Sequence, residues 1–293
     1  MTRGPALQPA APIGDGYNLT SPLSGPARTF ARGLKLPPLR RVLSCRMKKS
    51  LLFLAVAALL ASAVSSARAQ NPVVVELFTS EGCSSCPPAD ALLVKLSRES
   101  PPGGAKLILL GEHVDYWNYI GWTDRFSSSA FSDRQNTYAN NFHLGSVYTP
   151  QMVIDGHLQT VGNGAAEVYR DISKAAAEPK PAQVTLRWES QQKLNIAVHT
   201  PASGQSKVLL AITEDGLSTS VGGGENGGRT LQHAAVVRQL RELGTATNGQ
   251  FEASIDLAPH PDWNQSKLKV AVLVQDAGSG RIQGAASLDY VSK

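Results

Sequence analysis

The chain has 293 residues and a formal net charge of +5, from 28 Lys and Arg against 23 Asp and Glu. Residues 1–69 contain ten of the basic residues and one acidic residue, so residues 70–293 carry a net charge of −4. The positive charge is therefore a property of the N-terminal segment, and the composition argues against a nucleic-acid-binding function for the remaining chain.

Residues 47–69 have the pattern of a signal peptide. Lys48 and Lys49 form a charged start, residues 51–63 are apolar, and a small-x-small motif lies directly before Gln70. This arrangement predicts export followed by cleavage before Gln70. The alternative is an uncleaved membrane anchor, but the apolar stretch is short for a transmembrane helix. We therefore expect a periplasmic or secreted protein without a stable membrane anchor after cleavage.

Residues 1–46 are rich in Pro, Gly and Arg and show no hydrophobic periodicity. We expect this segment to be a disordered leader, or sequence translated from a start codon upstream of the true start at Met47. Cys45 would be removed with it, which leaves Cys83 and Cys86 as the cysteines of the mature chain. An oxidising compartment outside the cytoplasm would allow a disulfide between them to persist.

The first part of the predicted mature protein alternates between strand and helix patterns. Residues 73–78 are almost continuously apolar, as in a strand buried on both faces. Pro87 and Pro88 fit the first turn of a helix, which apolar spacing extends to Leu96. Residues 107–110 form a second apolar run. We therefore predict a strand–helix–strand unit with a right-handed parallel crossover.

Residues 151–161 predict a β-hairpin, because Asp155-Gly156 between two short apolar runs is a strong turn signal. Residues 165–177 have helical composition, and residues 178–181, with two prolines, form a stiff linker. These elements together predict an α/β domain over residues 70–178.

From residue 181 onwards the apolar period changes from 3.6 to 2. Many short alternating runs separated by turn-rich joins are typical of an antiparallel β-sandwich, which we predict for residues 181–293. The alternating or apolar runs begin at Val184, Leu194, Lys207, Phe251, Leu268 and Arg281. Residues 222–228 are glycine-rich, and we interpret them as a hairpin loop, since they follow no buried strand as a phosphate-binding loop would.

The order of these elements resembles the thioredoxin fold. Cys83-Ser84-Ser85-Cys86 lies between the first strand and the first helix, and Thr149-Pro150 precedes the hairpin. In that family the proline at this place is cis and lies beside the redox-active cysteines. The resemblance implies that Pro150 is such a proline and that the backbone of Thr149 binds a substrate peptide; an ordinary turn is the alternative. It implies an α/β thioredoxin-like domain over about residues 73–178, followed by the all-β sandwich-like domain.

The chain is also similar, more closely, to an uncharacterised family of exported bacterial thioredoxin-like proteins, a domain of unknown function. Three segments carry this resemblance: residues 76–90, which contain the motif CSSCPPAD, residues 113–117 and residues 225–231. The segments span nearly the whole predicted mature chain. The resemblance implies this fold and export.

Cys83 and Cys86 are the candidate catalytic residues. Unpaired N–H groups and the helix dipole stabilise a thiolate at a helix N-terminus and lower its pKa, and the thiolate is the attacking form of cysteine. We predict that Cys83 is the nucleophile and Cys86 the resolving thiol. One alternative is a structural disulfide, although the loop that it closes is short and removes little entropy. The other is half of a metal site, although a second cysteine pair is missing from the sequence.

Four further side chains are candidates around this motif. Glu76, in the first strand, is a candidate proton relay for Cys86, because burial would raise its pKa. The alternative is a strand carboxylate with a structural partner. Trp117, Trp122 and Tyr148 are candidate substrate-binding residues.

Residues 111–146 form a long polar and aromatic segment with three interpretations. It could be a recognition surface beside the cysteines. It could supply His113 and Asp115 to a metal site completed by His143 and the cysteines, as in copper-handling relatives of thioredoxin. The third interpretation is a long loop packed down by its own aromatic side chains, because aromatic residues need burial.

The sequence favours a thiol–disulfide oxidoreductase that acts on an exported protein substrate or redox partner, with no cofactor, no bound metal and no nucleic acid. A non-catalytic binding or copper-handling module on the same scaffold is the alternative, and a structural adaptor built around the β-sandwich is a third. The direction of electron flow depends on the relative stability of the thiolate form, and Ser84-Ser85 between the cysteines gives no indication of it.

Overall fold

The structure, a computed structural model, describes residues 72–99, 101, 104–201 and 205–291. The predicted leader (1–46) and the predicted signal peptide (47–69) lie outside the described residues. Among the helices that the described part of the chain forms, none has the length and apolar character needed to cross a membrane.

A β–α–β unit carries the cysteine motif. Strand β1 (Val73–Thr79) is buried at every position and pairs in parallel with β2 (Leu107–His113) over seven residues. Helix α1 (Pro87–Arg98) connects them, and it begins at the two prolines because their fixed φ fits the first helical turn. The predicted strand–helix–strand unit is confirmed. Its helix packs on β1 through Ala89, Leu92, Leu93 and Leu96.

Helix α2 (Ser129–Asn141), strands β3 (Gln151–Ile154) and β4 (Leu158–Val161), and helix α3 (Ala165–Ala177) follow. β3 pairs antiparallel with both β1 and β4. Asp155-Gly156 joins β3 to β4 with positive φ angles of 49° and 68°, the backbone that a tight type I′ hairpin requires. The predicted hairpin is confirmed.

After residue 181 the described chain forms nine strands. They are β5 (Gln183–Trp188), β6 (Lys193–His199), β7 (Ser206–Glu214), β8 (Leu217–Ser220), β9 (Thr230–His233), β10 (Val236–Ala246), β11 (Gln250–Asp256), β12 (Leu268–Asp276) and β13 (Ile282–Asp289). β11, β6 and β5 form a three-stranded sheet, and β8 pairs with β9. Residues 222–228 connect β8 to β9, which confirms their interpretation as a hairpin loop.

The prediction of a thioredoxin-like α/β domain followed by a separate β-sandwich is wrong. One eight-stranded mixed sheet, in the order β13-β12-β7-β10-β2-β1-β3-β4, contains strands from both halves of the chain. The halves meet where Val236 of β10 pairs in parallel with Gly111 of β2. The Gly111 N–H donates to the carbonyl of Ala235 at 2.7 Å. The described residues accordingly fall in one compact unit, Ala67–Lys293.

The edge of β2 that does not pair with β1 explains why both halves of the chain share one sheet. Local pairing satisfies only the β1 side of β2, and the other edge would leave buried backbone groups without partners. β10 pairs with that edge at Gly111, and a glycine there permits the approach, because a Cβ would lie 3.1 Å from the carbonyl oxygen of Ala234. Apolar periodicity shows which residues are buried, but it does not show which strand pairs with which edge.

The hydrophobic cores also join the two halves. On one face of the large sheet, a single cluster combines buried side chains of β1, β2, β7, β10, β12 and β13 with Phe131 of α2. The alternate residues of these strands point to the opposite face. There, α1 and α3 cover β1 and β3, and the three-stranded sheet packs against β7 and β12.

A pair of glycine substitutions tests the packing of the chain before β5 against β13. A Cβ at Gly284 would lie 2.3 Å from the carbonyl oxygen of Ala182, whose N–H donates to Gln283. We expect Gly284→Ala to lower the free energy of unfolding by about 1–3 kcal/mol, because overpacking forces the backbone to shift. Gly145→Ala, at a site with no atom within 4 Å of the added Cβ, should stay within about 0.5 kcal/mol. Urea denaturation of both variants measures the difference, and equal stabilities would contradict this packing.

Candidate functional site

Cys83 and Cys86 form a disulfide in the turn between β1 and α1. Cys86 is the N-cap residue of α1, and its carbonyl accepts from the N–H groups of Ala89 and Asp90. Pro87 and Pro88 provide no N–H. The start of α1 therefore offers a thiolate fewer free N–H donors than an ordinary helix N-terminus. The N–H groups of the turn between the cysteines are the remaining donors that could stabilise a thiolate.

Both cysteines have no exposed surface, whereas Ser84 and Ser85 between them are exposed. The hydroxyl of Thr149 donates to Cys83 Sγ at 3.3 Å, and the hydroxyl of Ser85 lies 3.3 Å from the same sulfur. Cys83 therefore lies directly under a layer of surface side chains. A reagent reaches the sulfur only when part of this layer moves.

The predicted residues Thr149 and Trp117 lie beside the disulfide. The peptide bond between Thr149 and Pro150 is cis, and the Thr149 carbonyl accepts from the Ser85 hydroxyl at 3.4 Å. Trp117 Nε1 donates to Thr149 Oγ1 at 2.8 Å and so orients the hydroxyl that reaches Cys83. The structure thus assembles Thr149, Pro150 and Trp117 at the cysteine motif.

Tyr148 and Trp122 occupy different surroundings. The Tyr148 hydroxyl donates to Gln159 Oε1 at 2.5 Å, on the β4 strand. Trp122 Nε1 donates to Glu81 Oε2 at 2.8 Å, directly before the motif. Trp122 therefore contacts Glu81, which lies two positions before Cys83. Tyr148 contacts β4 instead.

Glu76 lies on the other face of the sheet from α1. Val75 and Leu77 pack against α1, so the alternation of a strand turns Glu76 away from it. The Glu76 carboxylate accepts from Arg134 Nε at 2.5 Å and from the Tyr138 hydroxyl at 2.6 Å. The structure therefore places this predicted proton relay in a buried ion pair rather than beside Cys86. Burial, together with the neighbouring Glu76 charge, raises the pKa of Glu112 in the same group.

A second buried polar cluster lies directly next to the motif, and sequence reasoning did not assemble it. His113 Nδ1 lies 2.6 Å from Asp124 Oδ2, which also accepts from the Glu81 N–H at 2.9 Å. His233 Nε2 lies 3.3 Å from Glu81 Oε1, and the rings of the two histidines pack edge to face at 4.9 Å. Asp90 of α1 completes the group and accepts from the Thr79 hydroxyl at 2.9 Å. We call these residues the buried polar cluster: Glu81, Asp90, His113, Asp124 and His233.

Opposing effects set the protonation of this cluster. Burial disfavours a charged His113, but the Asp124 carboxylate outweighs burial and raises the pKa of His113. Burial also disfavours a charged Asp124, and His113 outweighs it, so the pKa of Asp124 is lowered. The pKa of Asp90 is raised, mainly because of burial. His113 and Asp124 therefore form a charged pair within the protein.

The structure does not assemble the metal site that was one of the three interpretations of residues 111–146. His113 pairs with Asp124, and the Asp115 carboxylate accepts from Ser132. His143 lies beyond the end of α2 in a left-handed backbone conformation. Within the described residues, no three His, Cys, Asp or Glu side chains are arranged to hold a metal ion.

The loop between β8 and β9 also reaches the motif, from more than 130 residues away in the chain. Asn226 Nδ2 donates to the carbonyl oxygens of Glu81 and Cys83, both at 2.9 Å. Glu225 Oε2 accepts from the Ser84 N–H at 2.9 Å. The sequence signal that could have identified these two residues was segment 225–231, which already carried part of the family resemblance.

A family model described as "Protein of unknown function (DUF1223)" matches residues 74–275, from β1 to β12. The chain belongs to this family. The match includes the disulfide, the buried polar cluster and the loop that carries Asn226.

A comparison with solved structures gives matches to this DUF1223 protein of very different quality. The crystal structure of protein AGR_C_4864 from Agrobacterium tumefaciens is 27% identical, with a TM-score of 0.62, and the match covers 75% of this chain and 95% of that chain. A domain of the outer membrane lipoprotein Omp28 from Porphyromonas gingivalis is 11% identical, with a TM-score of 0.23, over 38% of this chain and 88% of that chain. No curated protein matches the chain.

Asp124→Asn tests the charged pair in this DUF1223 protein. We expect the pKa of His113 to fall, because the carboxylate that favours its protonated form is removed. We also expect a loss of about 3–5 kcal/mol in the free energy of unfolding, since removing one partner leaves a buried charge uncompensated. NMR titration of the histidine ring and denaturation of both proteins measure these effects.

The stability that the His113–Asp124 pair contributes should depend on pH in a definite direction. The raised pKa of His113 stabilises the fold fully below its ordinary value of 6.5 and ceases to do so as the pH rises through the folded value. The lowered pKa of Asp124 stabilises the fold above its ordinary value of 3.8 and ceases to do so as the pH falls. The stability gap to Asp124→Asn should therefore be largest between these limits. The exposed control Asp133→Asn should show no such window, and a pH-independent gap would contradict the pairing.

Proposed function

We propose that this protein is a thiol–disulfide oxidoreductase that exchanges disulfides with protein partners through Cys83 and Cys86. The observation that carries the proposal is the disulfide within the Cys-x-x-Cys turn, with the hydroxyl of Thr149 3.3 Å from Cys83 Sγ. This arrangement holds both sulfurs at the start of α1, beside the Thr149-Pro150 segment. The short loop argues against a purely structural disulfide, because closing four residues removes little entropy from the unfolded chain.

The exchange balances as two successive substitutions at sulfur. The Cys83 thiolate attacks one sulfur of a partner disulfide, the partner's S–S bond breaks, and the other partner sulfur leaves as a thiolate. The Cys86 thiolate then attacks the Cys83 sulfur and displaces the second partner thiolate. The partner gains two electrons, and the Cys83–Cys86 disulfide forms. The same steps in reverse oxidise a partner dithiol.

The positions of the sulfurs support this assignment of roles. Cys83 Sγ lies 3.3 Å from the hydroxyls of Thr149 and of the exposed Ser85, and this contact with surface side chains favours the attacking role. Cys86 begins α1 and its carbonyl is held by the helix backbone, which favours the resolving role. The partner is an exported protein, and the periplasm or the outside of the cell is the compartment in which such a disulfide would persist.

An exposed aromatic residue near the motif supports a protein partner. Tyr119 is 83% exposed. Its neighbours Trp117 and Ile120 pack within 3.4 Å of the position that a Cβ at Gly82 would take. Tyrosine is enriched in protein–protein interfaces, because it combines a large apolar ring with a polar hydroxyl.

Trapping of partners tests the function. In Cys86→Ser, the mixed disulfide between Cys83 and a partner cannot be resolved, so this variant should accumulate covalent protein adducts that reductant releases. Cys83→Ser lacks the attacking sulfur and should accumulate none. The adducts are counted by non-reducing electrophoresis after expression in the exporting cell, with Ser84→Ala as a variant that keeps both sulfurs. Equal trapping by the two cysteine variants, or trapping by neither, would contradict the proposal.

A further inference from the structure

We propose that residues 221–229, the loop between β8 and β9, form a lid that closes over the Cys83–Cys86 disulfide and controls its reduction. The proposal rests on the proposed thiol–disulfide function and specifies how access to that same site is regulated. The lid belongs to the second half of the chain, and it hydrogen-bonds to the backbone of the cysteine turn, which belongs to the first half.

Asn226 is the buried anchor of the lid. It has no exposed surface, and its amide donates to the carbonyl oxygens of Glu81 and Cys83 at 2.9 Å each. Its Oδ1 accepts from Arg229 Nη1 at 2.8 Å. Both amide donors thus hold the cysteine turn, and the acceptor holds the other end of the lid. Replacing this side chain would leave two carbonyls of the turn without these donors.

Glu225 places a negative charge on the cysteine turn. Its carboxylate accepts from the Ser84 N–H at 2.9 Å, and hydrogen bonding to the side chain and then the backbone of Ser84 lowers the pKa of Glu225. A carboxylate beside Cys83 disfavours a second negative charge there, and it occupies an N–H that could otherwise stabilise a thiolate. Because Pro87 and Pro88 offer no N–H, this donor matters more than usual. The closed lid therefore favours the disulfide over the dithiolate.

The lid is built to move as one piece. It carries five glycines, and its own backbone bonds join Val221 to Arg229 at 2.9 Å and Gly228 to Val221 at 2.8 Å. Among the described residues, three hydrogen bonds from two side chains join it to the cysteine turn. Opening therefore breaks these three hydrogen bonds and leaves the internal hydrogen bonds of the loop intact.

Glycine also permits the closed position. A Cβ at Gly223 would lie 2.5 Å from the carbonyl oxygen of Gly121, and one at Gly222 would lie 3.1 Å from the Trp122 ring. The lid therefore lies flat against residues 121–122, whose Trp122 side chain also donates to Glu81. This contact aligns Glu225 and Asn226 with the cysteine turn.

Reduction by dithiothreitol tests the lid without a protein partner. One thiolate of the reagent attacks the disulfide, the Cys83–Cys86 bond breaks, and the reagent cyclises to its own disulfide, leaving two cysteine thiols. We expect Asn226→Ala to react about tenfold faster than the parent protein, because two hydrogen bonds that close the lid are lost. The second-order rate is measured by acid quench and thiol counting. A parental rate in Asn226→Ala would overturn the proposal.

Two control variants separate lid opening from general loosening. Gln232→Ala removes an amide of the same hairpin that donates only to Ser218 Oγ and does not touch the cysteine turn. Ile196→Val removes a methyl group from the core between the two sheets, which should lower stability by about 0.5–1.5 kcal/mol. Both should keep the parental reduction rate. Acceleration in either variant equal to that of Asn226→Ala would overturn the lid.

Glu225→Gln tests the charge of the lid and does not depend on folding of the buried anchor variant. It keeps an acceptor for the Ser84 N–H and removes the charge, so the reduced form should gain about two- to fivefold at equilibrium in glutathione buffers, the range of an exposed charge interaction. The pKa of Cys83, followed by alkylation rate against pH, should fall. Glu252→Gln, an exposed glutamate on β11, should change neither quantity. Identical equilibria for the two variants would overturn the electrostatic role of Glu225.

The two proposals fail in distinguishable ways. If only the lid proposal is wrong, Asn226→Ala leaves the rate of reduction by dithiothreitol unchanged, and Cys86→Ser still traps partner proteins. A failed oxidoreductase function shows itself in the absence of trapped adducts, while the lid variants still alter the reduction rate.

Discussion

The pairing of Gly111 with Val236 is the contact on which the rest of the structure depends. It joins β2 to β10, closes an otherwise open sheet edge and makes one sheet from two halves of the chain. Val236 follows His233 by three positions and Asn226 by ten positions in the chain. Once β10 is seated, β9 must lie beside the end of β2, which brings His233 against His113 at 4.9 Å and Asn226 against the cysteine turn.

Buried polar contacts on the two faces of this sheet reinforce the junction. On one face, Glu76 of β1 and Arg134 of α2 pair at 2.5 Å, and Arg134 also donates to Gln275 of β12. On the side of the cysteine turn, His233 of β9 meets Glu81. Removing these groups from water has a free-energy cost, and the pairs offset it only in one geometry. Each network therefore penalises any arrangement in which the halves come apart.

Sequence reasoning located the parts of the candidate site that depend on neighbouring residues in the chain. It failed for the parts that depend on contacts between distant residues. Cys83 and Cys86 follow from spacing at the start of a helix, and Thr149 and Pro150 follow from the resemblance to the thioredoxin fold. Glu76 is a candidate proton relay for Cys86 as a buried strand carboxylate, but the period of a β-strand turns it to the opposite face. The burial of His233 beside Glu81 depends on the β2–β10 junction, which no local pattern in the sequence indicates.

The sequence by itself determined the β–α–β unit, the type I′ hairpin, the glycine-rich loop and the pair of cysteines, because each depends on residues close together in the chain. Only the tertiary structure decided that the two halves share one sheet, that the disulfide is covered, and that Asn226 and Glu225 hold the cysteine turn. Those features depend on which strand edge pairs with which, and backbone hydrogen bonds between distant strands leave no period in the sequence.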